Sequence, residues 1–271
     1  MAAGTRVALV LSAGGLRGAG HVGVLRRLVD NGIAIDAIVG VSAGAVIAAY
    51  YAAVGLDIDD LLTDAAAFRG RHLLMHSVNV RLGNRFDARL RRWCGVIPDR
   101  LRQLESARFD RLHHAVGRLG IVCHDVATRR AVYFATAADR GVALADAVRA
   151  SASIPHLFPP VCVTCGSTTM NLTDGGVVDP VPVAFARSAA IGATHVIVSD
   201  CRWLGRVPRT DPATIWIRPR MFDAGTLWSP RDGLSSAVLR AEAAVTDAVL
   251  DRIHAWRAGD RSARSAAVRL V

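Results

Sequence analysis

A chain of 271 residues, 52% hydrophobic and 21% charged, has the balance of a compact folded protein and is long enough to bury a sizeable core. Its net charge is +10, with arginine as the sole basic residue besides histidine. That surplus favours anionic surfaces, but no nucleic-acid-binding motif accompanies it, so nucleic acid is not expected as a partner.

Five cysteines, an odd number scattered along the chain, fit reduced thiols better than a disulfide framework. Cys162 and Cys165 form a Cys-x-x-Cys pair, yet no second ligand pair sits at metal spacing, and neither metal nor cofactor is expected. Residues 1–6 lead straight into an apolar run without the basic and apolar regions of a signal peptide. The expectation is a cytoplasmic protein, at most peripheral to a membrane.

In chain order, Val7–Leu11 reads as a buried parallel strand emptying into a glycine-rich turn and a helix, Ser12 to Leu25. Ile38–Val41 reads as a second strand, followed after Ser42 by a helix rich in Ala, Ile and Tyr. Leu56–Phe68 reads as a helix with Asp57, Asp59 and Asp60 in its first turn. From about 70 to 108 arginines accompany Leu82, Phe86, Leu90 and Trp93 at helical spacing; this stretch is expected to be a basic helical insertion or lid.

Leu119–Cys123 and Ala131–Ala135 read as strands joined by a turn at 127–130. A short helix over Leu144–Ala152 stops before Pro155, and a hairpin around Gly166 spans Val161–Leu172. A helix over Val183–Ile191, strands at Thr194–Ser199 and Thr214–Ile217, and a long helix over Gly233–Trp256 with a loosely ordered tail complete the chain. Strands alternating with helices predict an α/β fold: three α/β/α layers about a mainly parallel sheet. One domain is expected, with the 70–108 insertion and a C-terminal helix and tail over 231–271.

The second strand ends in Gly40-Val41-Ser42-Ala43-Gly44 with a helix behind it, the setting of a Gly-x-Ser-x-Gly nucleophile elbow. A serine on so sharp a turn needs neighbours with little side chain, here Gly40 and Gly44. Unpaired N–H groups at the helix start gather positive potential where an oxyanion would form. The plainer alternative is a buried turn whose serine caps the helix.

The first glycine cluster also has two readings. Gly18, Gly20 and Gly23 match a dinucleotide fingerprint. However, the cluster starts late after its strand, and the acid expected roughly 20 residues on is missing. Alternatively, the Gly14 and Gly15 amides form an oxyanion hole beside the neighbouring strand's serine. Asp174, with Gly175 and Gly176 behind it, is either a turn or a catalytic carboxylate. A Ser-His-Asp triad would take its histidine after that aspartate, leaving His195 and His254. His21 lies nearer the glycine loop and reads as a support for it.

The ordered motifs Gly14-Gly15-Leu16-Arg17-Gly18, Gly40–Gly44, Ala150–Pro155 with Phe158-Pro159-Pro160, and Asp174-Gly175-Gly176 resemble the patatin-like phospholipases of the bacterial single-domain type, over roughly residues 6 to 200. The resemblance implies Ser42 as nucleophile, Asp174 as its partner, and Gly14, Gly15, Leu16 and Arg17 as the oxyanion region. Gly40, Gly44, Gly175 and Gly176 would support elbow and dyad. It implies a lipid or other acyl ester as substrate and a serine acyl hydrolase as the activity.

An acyltransferase or thioesterase using the same serine, and a non-catalytic lipid-binding member of the fold, stand as alternatives. Two positions depart from the family pattern: Ala13 replaces the first oxyanion glycine, and Pro180 replaces an asparagine. An alanine with ordinary backbone angles still presents its N–H.

Overall fold

The computed structural model of the chain describes residues 4–67, 97–136, 141–206, 211–221 and 230–268. The strands are β1 (Val7–Leu11), β2 (Ala37–Val41), β3 (Arg118–Asp125), β4 (Arg130–Ala135), β5 (Val161–Cys165), β6 (Thr168–Asp174), β7 (His195–Ser199) and β8 (Thr214–Ile217). The helices are α1 (Gly20–Asp30), α2 (Ala43–Ala49), α3 (Ile58–Ala67), α4 (Ile97–Ser106), α5 (Leu144–Ser151), α6 (Val183–Arg187), α7 (Pro230–Ala243) and α8 (Asp247–Val268). All eight strands join one sheet, parallel through β8-β7-β1-β2-β3 and antiparallel where β4, β5 and β6 attach. The mainly parallel α/β/α arrangement follows.

One detail of register positions the site. From Gly120 to Asp125, β3 pairs along one edge with β4. Along its other edge β3 pairs first with β2, through Val41 opposite Val122. From the next residue that edge pairs with β6, Cys123 facing Asp174. β2 and β6 run toward each other and stop end to end on consecutive residues of β3. The residue that follows β2 is Ser42, and the residue that ends β6 is Asp174.

The strand residues explain the layers. Alternate residues point to opposite faces. Leu9, Leu11, Ile38, Leu119 and Ile121 join the core that packs against α1, α2, α5 and α7. Ala8, Val10, Val39, Val41 and Val122 join a smaller core. Among the described residues that second layer includes α6 and the turn after it, where Phe185 lies over Gly120 and Ile191 is buried.

Two expectations are corrected. The helix predicted over Val183–Ile191 ends at Arg187, because Ser188 is extended and the chain turns back, Gly192 donating to the Ser188 carbonyl, to bury Ile191. The helix predicted over Gly233–Trp256 is two helices, broken between Ala243 and Asp247. The Thr246 carbonyl takes the Val249 and Leu250 N–H groups, and a Thr-Asp pair is a favourable helix start. The break lets Val245 and Leu250 both reach the core, and α8 continues to Val268, where a loose tail was expected. Most of the arginine-rich stretch assigned as an insertion lies outside the described residues; the described part, 97–108, holds α4.

Candidate active site

Ser42 sits between β2 and α2 with φ 57° and ψ −127°, a left-handed conformation that a side chain adopts only under local constraint. The two flanking glycines account for that constraint. A Cβ on Gly40 would be driven into the Gly44 carbonyl, and one on Gly44 into the Leu11 carbonyl of the neighbouring strand. The Ser42 carbonyl starts the helix by accepting from Ala45 N–H at 2.9 Å. Its hydroxyl makes no cap, however. It donates instead to Asp174 Oδ2 at 2.5 Å.

Asp174 serves two neighbours with two oxygens. Its Oδ1 accepts the Gly176 N–H at 2.7 Å, which caps the short 3₁₀ turn Gly175–Val177. Its Oδ2 is the partner of Ser42. The turn reading of Asp-Gly-Gly thus describes one oxygen and leaves the other for chemistry. Gly175 lies flat on β3, where a Cβ would strike the Val122 carbonyl, and a Cβ on Gly176 would meet the Ala13 methyl at 2.8 Å.

Ser42 is 4% and Asp174 5% exposed. Burial pushes the Asp174 carboxyl above its ordinary range, partly offset by the hydrogen bonds from Ser42 and Gly176. A buried carboxylate with a raised pKa, bonded to a serine hydroxyl, is a competent general base.

The glycine loop closes the third side. Residues Gly15–Ala19 form a 3₁₀ turn with no side-chain cap, so its leading N–H groups lack intrahelical acceptors. The loop rests on the start of α2, since a Cβ on Gly18 would be driven into the Ala43 methyl. The Ala13 N–H is already taken, donating to the Pro180 carbonyl at 3.0 Å. Ala13 and Pro180, the two departures noted in the sequence, are therefore bonded to each other. The Arg17 side chain turns to another loop, bonding the Cys201 carbonyl at 3.3 Å and lying 5.3 Å over the Trp203 ring. Gly20 and Gly23 are needed for packing: added Cβ atoms would meet Met221 and the Val238 carbonyl, so a nucleotide is not required to explain them.

The histidines have other work. His195 opens β7 opposite Val7, at the end of the sheet remote from Ser42, and His254 is exposed on α8. His21 is fully buried, its Nε2 2.9 Å from the Ser12 carbonyl and its Nδ1 2.7 Å from Ser199 Oγ. A carbonyl only accepts, so Nε2 carries the proton and Nδ1 accepts from the serine.

Burial lowers the His21 pKa from 6.5 to about 4. Below 6.5 the unfolded chain takes up a proton that the folded one refuses, so stability falls as pH drops from 6.5 toward 4. Between about pH 7 and about pH 5, urea unfolding of the wild type is expected to lose ~2 kcal/mol more than that of His21→Gln. Equal losses would show that His21 does not titrate this way.

Ser151 is a site residue whose role is not readable from the residues alone. It ends α5, wholly buried, and its Oγ accepts the Ser42 N–H at 2.9 Å while donating to the Val122 carbonyl at 2.6 Å. It ties the strained serine to the strand residue where β2 and β6 meet. Ser151→Ala strands a buried donor and a buried acceptor, a cost of about 2 kcal/mol. Turnover is expected to fall about tenfold or more as Ser42 drifts, with KM little changed. An unchanged kcat would show that the elbow holds without this bridge. The sequence signal was the serine in Ala150–Pro155, beside Ser153, whose carbonyl accepts the Asp174 N–H at 2.9 Å.

A cleft of about 230 Å³ lined by Arg6, Asp36, Arg118 and Ile191 lies at the opposite, N-terminal ends of the strands and takes no part in this arrangement.

A family model described as patatin-like phospholipase matches residues 9–187. Lysophospholipase nte1 of Emericella nidulans is 30% identical over 208 residues, covering 73% of this chain and 12% of its own. An uncharacterized NTE family protein of Mycobacterium tuberculosis is 30% identical over 186 residues, 66% of this chain and 28% of its own. The chain therefore spans under a third of either relative. Among solved structures, VipD from Legionella pneumophila aligns with a TM-score of 0.47 at 13% identity, over 89% of this chain and 67% of its own.

Proposed function

Because this chain belongs to the patatin-like phospholipase family, we propose that it is a serine-dependent hydrolase of lipid acyl esters, with Ser42 as nucleophile and Asp174 as the base. The observation that carries the reading is the 2.5 Å hydrogen bond from Ser42 Oγ to Asp174 Oδ2, held where two strands stop end to end.

In the reaction, Asp174 takes the Ser42 proton as Oγ bonds to the ester carbonyl carbon. The resulting oxyanion lies toward the Gly14 and Gly15 amides and the start of α2. Collapse breaks the ester C–O bond, and Asp174 returns the proton to the departing alcohol. Water then repeats the sequence on the acyl-enzyme: Asp174 accepts its proton, and Ser42 leaves with it. No histidine is needed at any step.

Lysophospholipid or phospholipid substrates are favoured by the family and by the name of the fungal relative. No helix among the described residues is long and apolar enough to cross a membrane. The test is fatty-acid release from lysophosphatidylcholine micelles and phosphatidylcholine vesicles. Wild type should release acid steadily, and Ser42→Ala should stay at background. Equal release from both proteins would refute the assignment.

A further inference from the structure

Of the eight large hydrophobic side chains left exposed among the described residues, five lie in loops at one end of the sheet: Val126, Leu157, Val177, Trp203 and Leu204. It is the end that holds Ser42. Val126 follows β3, Leu157 precedes β5 beside the Ser153–Asp174 bond, Val177 follows Asp174, and Trp203 and Leu204 follow β7. Leu204 is 80% and Trp203 50% exposed. So uneven a distribution singles out this end of the sheet as a candidate interaction surface.

Charge on the same loops identifies the partner. Their acids are occupied: Asp125 bonds Thr128, Asp179 takes the Tyr133 hydroxyl, and Asp200 is wholly buried beneath Arg202. Arginines are what reach solvent: Arg129 and Arg130 share the turn with Val126, and Arg206 follows Leu204. Arg218 braces the apolar tip by bonding the Gly205 carbonyl, and Arg17 supports the Trp203 ring from the glycine loop. An exposed Trp-Leu tip with outward Arg206 beside it, outward Arg129 and Arg130 on another loop of the same end, and Asp125, Asp179 and Asp200 all engaged complements an apolar layer beneath anionic headgroups.

We propose that this end of the sheet docks on an anionic lipid surface, Trp203 and Leu204 entering the acyl layer while Arg129, Arg130 and Arg206 contact the headgroups. The proposal rests on the lipid-ester reading and gives it an orientation, with the mouth of the site facing the membrane that carries the substrate.

The test uses the Ser42→Ala protein, so that binding is read without turnover, and a failed hydrolysis assay leaves its result standing. Sedimentation is compared with vesicles of phosphatidylcholine alone and with phosphatidylglycerol added. Binding to the anionic vesicles is expected, with a blue shift of the emission that Trp203→Phe removes. Leu204→Asp and the double change Arg129→Glu with Arg130→Glu should each weaken partition by about tenfold or more. All these positions are exposed, so the melting temperature should hold. Absence of binding to the anionic vesicles would overturn the proposal, as would undiminished binding of both variants or a face that captures only protein.

Discussion

Ser42→Ala is expected to lower turnover by about 10⁵-fold to 10⁶-fold while leaving the chain folded. Removing the hydroxyl deletes the nucleophile and the donor to Asp174, yet the turn itself is built by Gly40, Gly44 and the Ser151 bridge, none of which needs Oγ. Alanine at φ 57° keeps the backbone strain that serine already tolerates. Rates on a soluble short-chain ester and on lipid should fall together, since the acyl-enzyme is common to both. A variant with more than a few per cent of wild-type turnover would mean that another group attacks the ester.

The second large effect is at Asp174. Asp174→Asn keeps a shape that can accept the Gly176 N–H and sit beside Ser42, but it cannot take a proton. Turnover is expected to fall about 10⁴-fold. In the wild type the base must be ionised, and burial holds its pKa above the ordinary aspartate value of 3.8. The rate should therefore decline as pH drops through an inflection above that value.

Stability runs the other way. A carboxyl whose pKa is higher in the folded chain than in the unfolded one contributes stability at low pH and loses it as pH rises through that interval. Asp174→Asn removes the buried charge, so its melting temperature at neutral pH should match or exceed that of the wild type. An inactive but undiminished fold would separate the chemistry from packing. A sharply lower melting temperature would make Asp174 a structural anchor first.

Much of the sheet is legible locally because its strands are short apolar runs between glycine or proline signals. Val7–Leu11 and Thr214–Ile217 lie where their own residues place them, and the hairpin around Gly166 begins at Val161 as read, though its second strand runs on to Asp174. The strained serine is legible for the same reason, since Gly40 and Gly44 are adjacent in sequence and their need for space is local. What is not legible depends on contacts across the chain.

That β2 and β6 would stop on consecutive residues of β3 is a matter of register between segments more than a hundred residues apart. So is the bridge from Ser151 to Ser42. The Ala13 N–H is ordinary in sequence, and only the fold reveals the Pro180 carbonyl that takes it. The broken C-terminal helix is a tertiary matter too: Ala-rich sequence favours continuity, and burial of Val245 and Leu250 decides against it.

The central claim is that Ser42 is activated by Asp174, and intact-protein mass after exposure to a fluorophosphonate probe tests it most directly. One adduct on the wild type, mapped to Ser42, absent from Ser42→Ala and strongly slowed in Asp174→Asn, is the predicted result. An adduct that persists in Ser42→Ala, or labelling of Asp174→Asn at the wild-type rate, would contradict it.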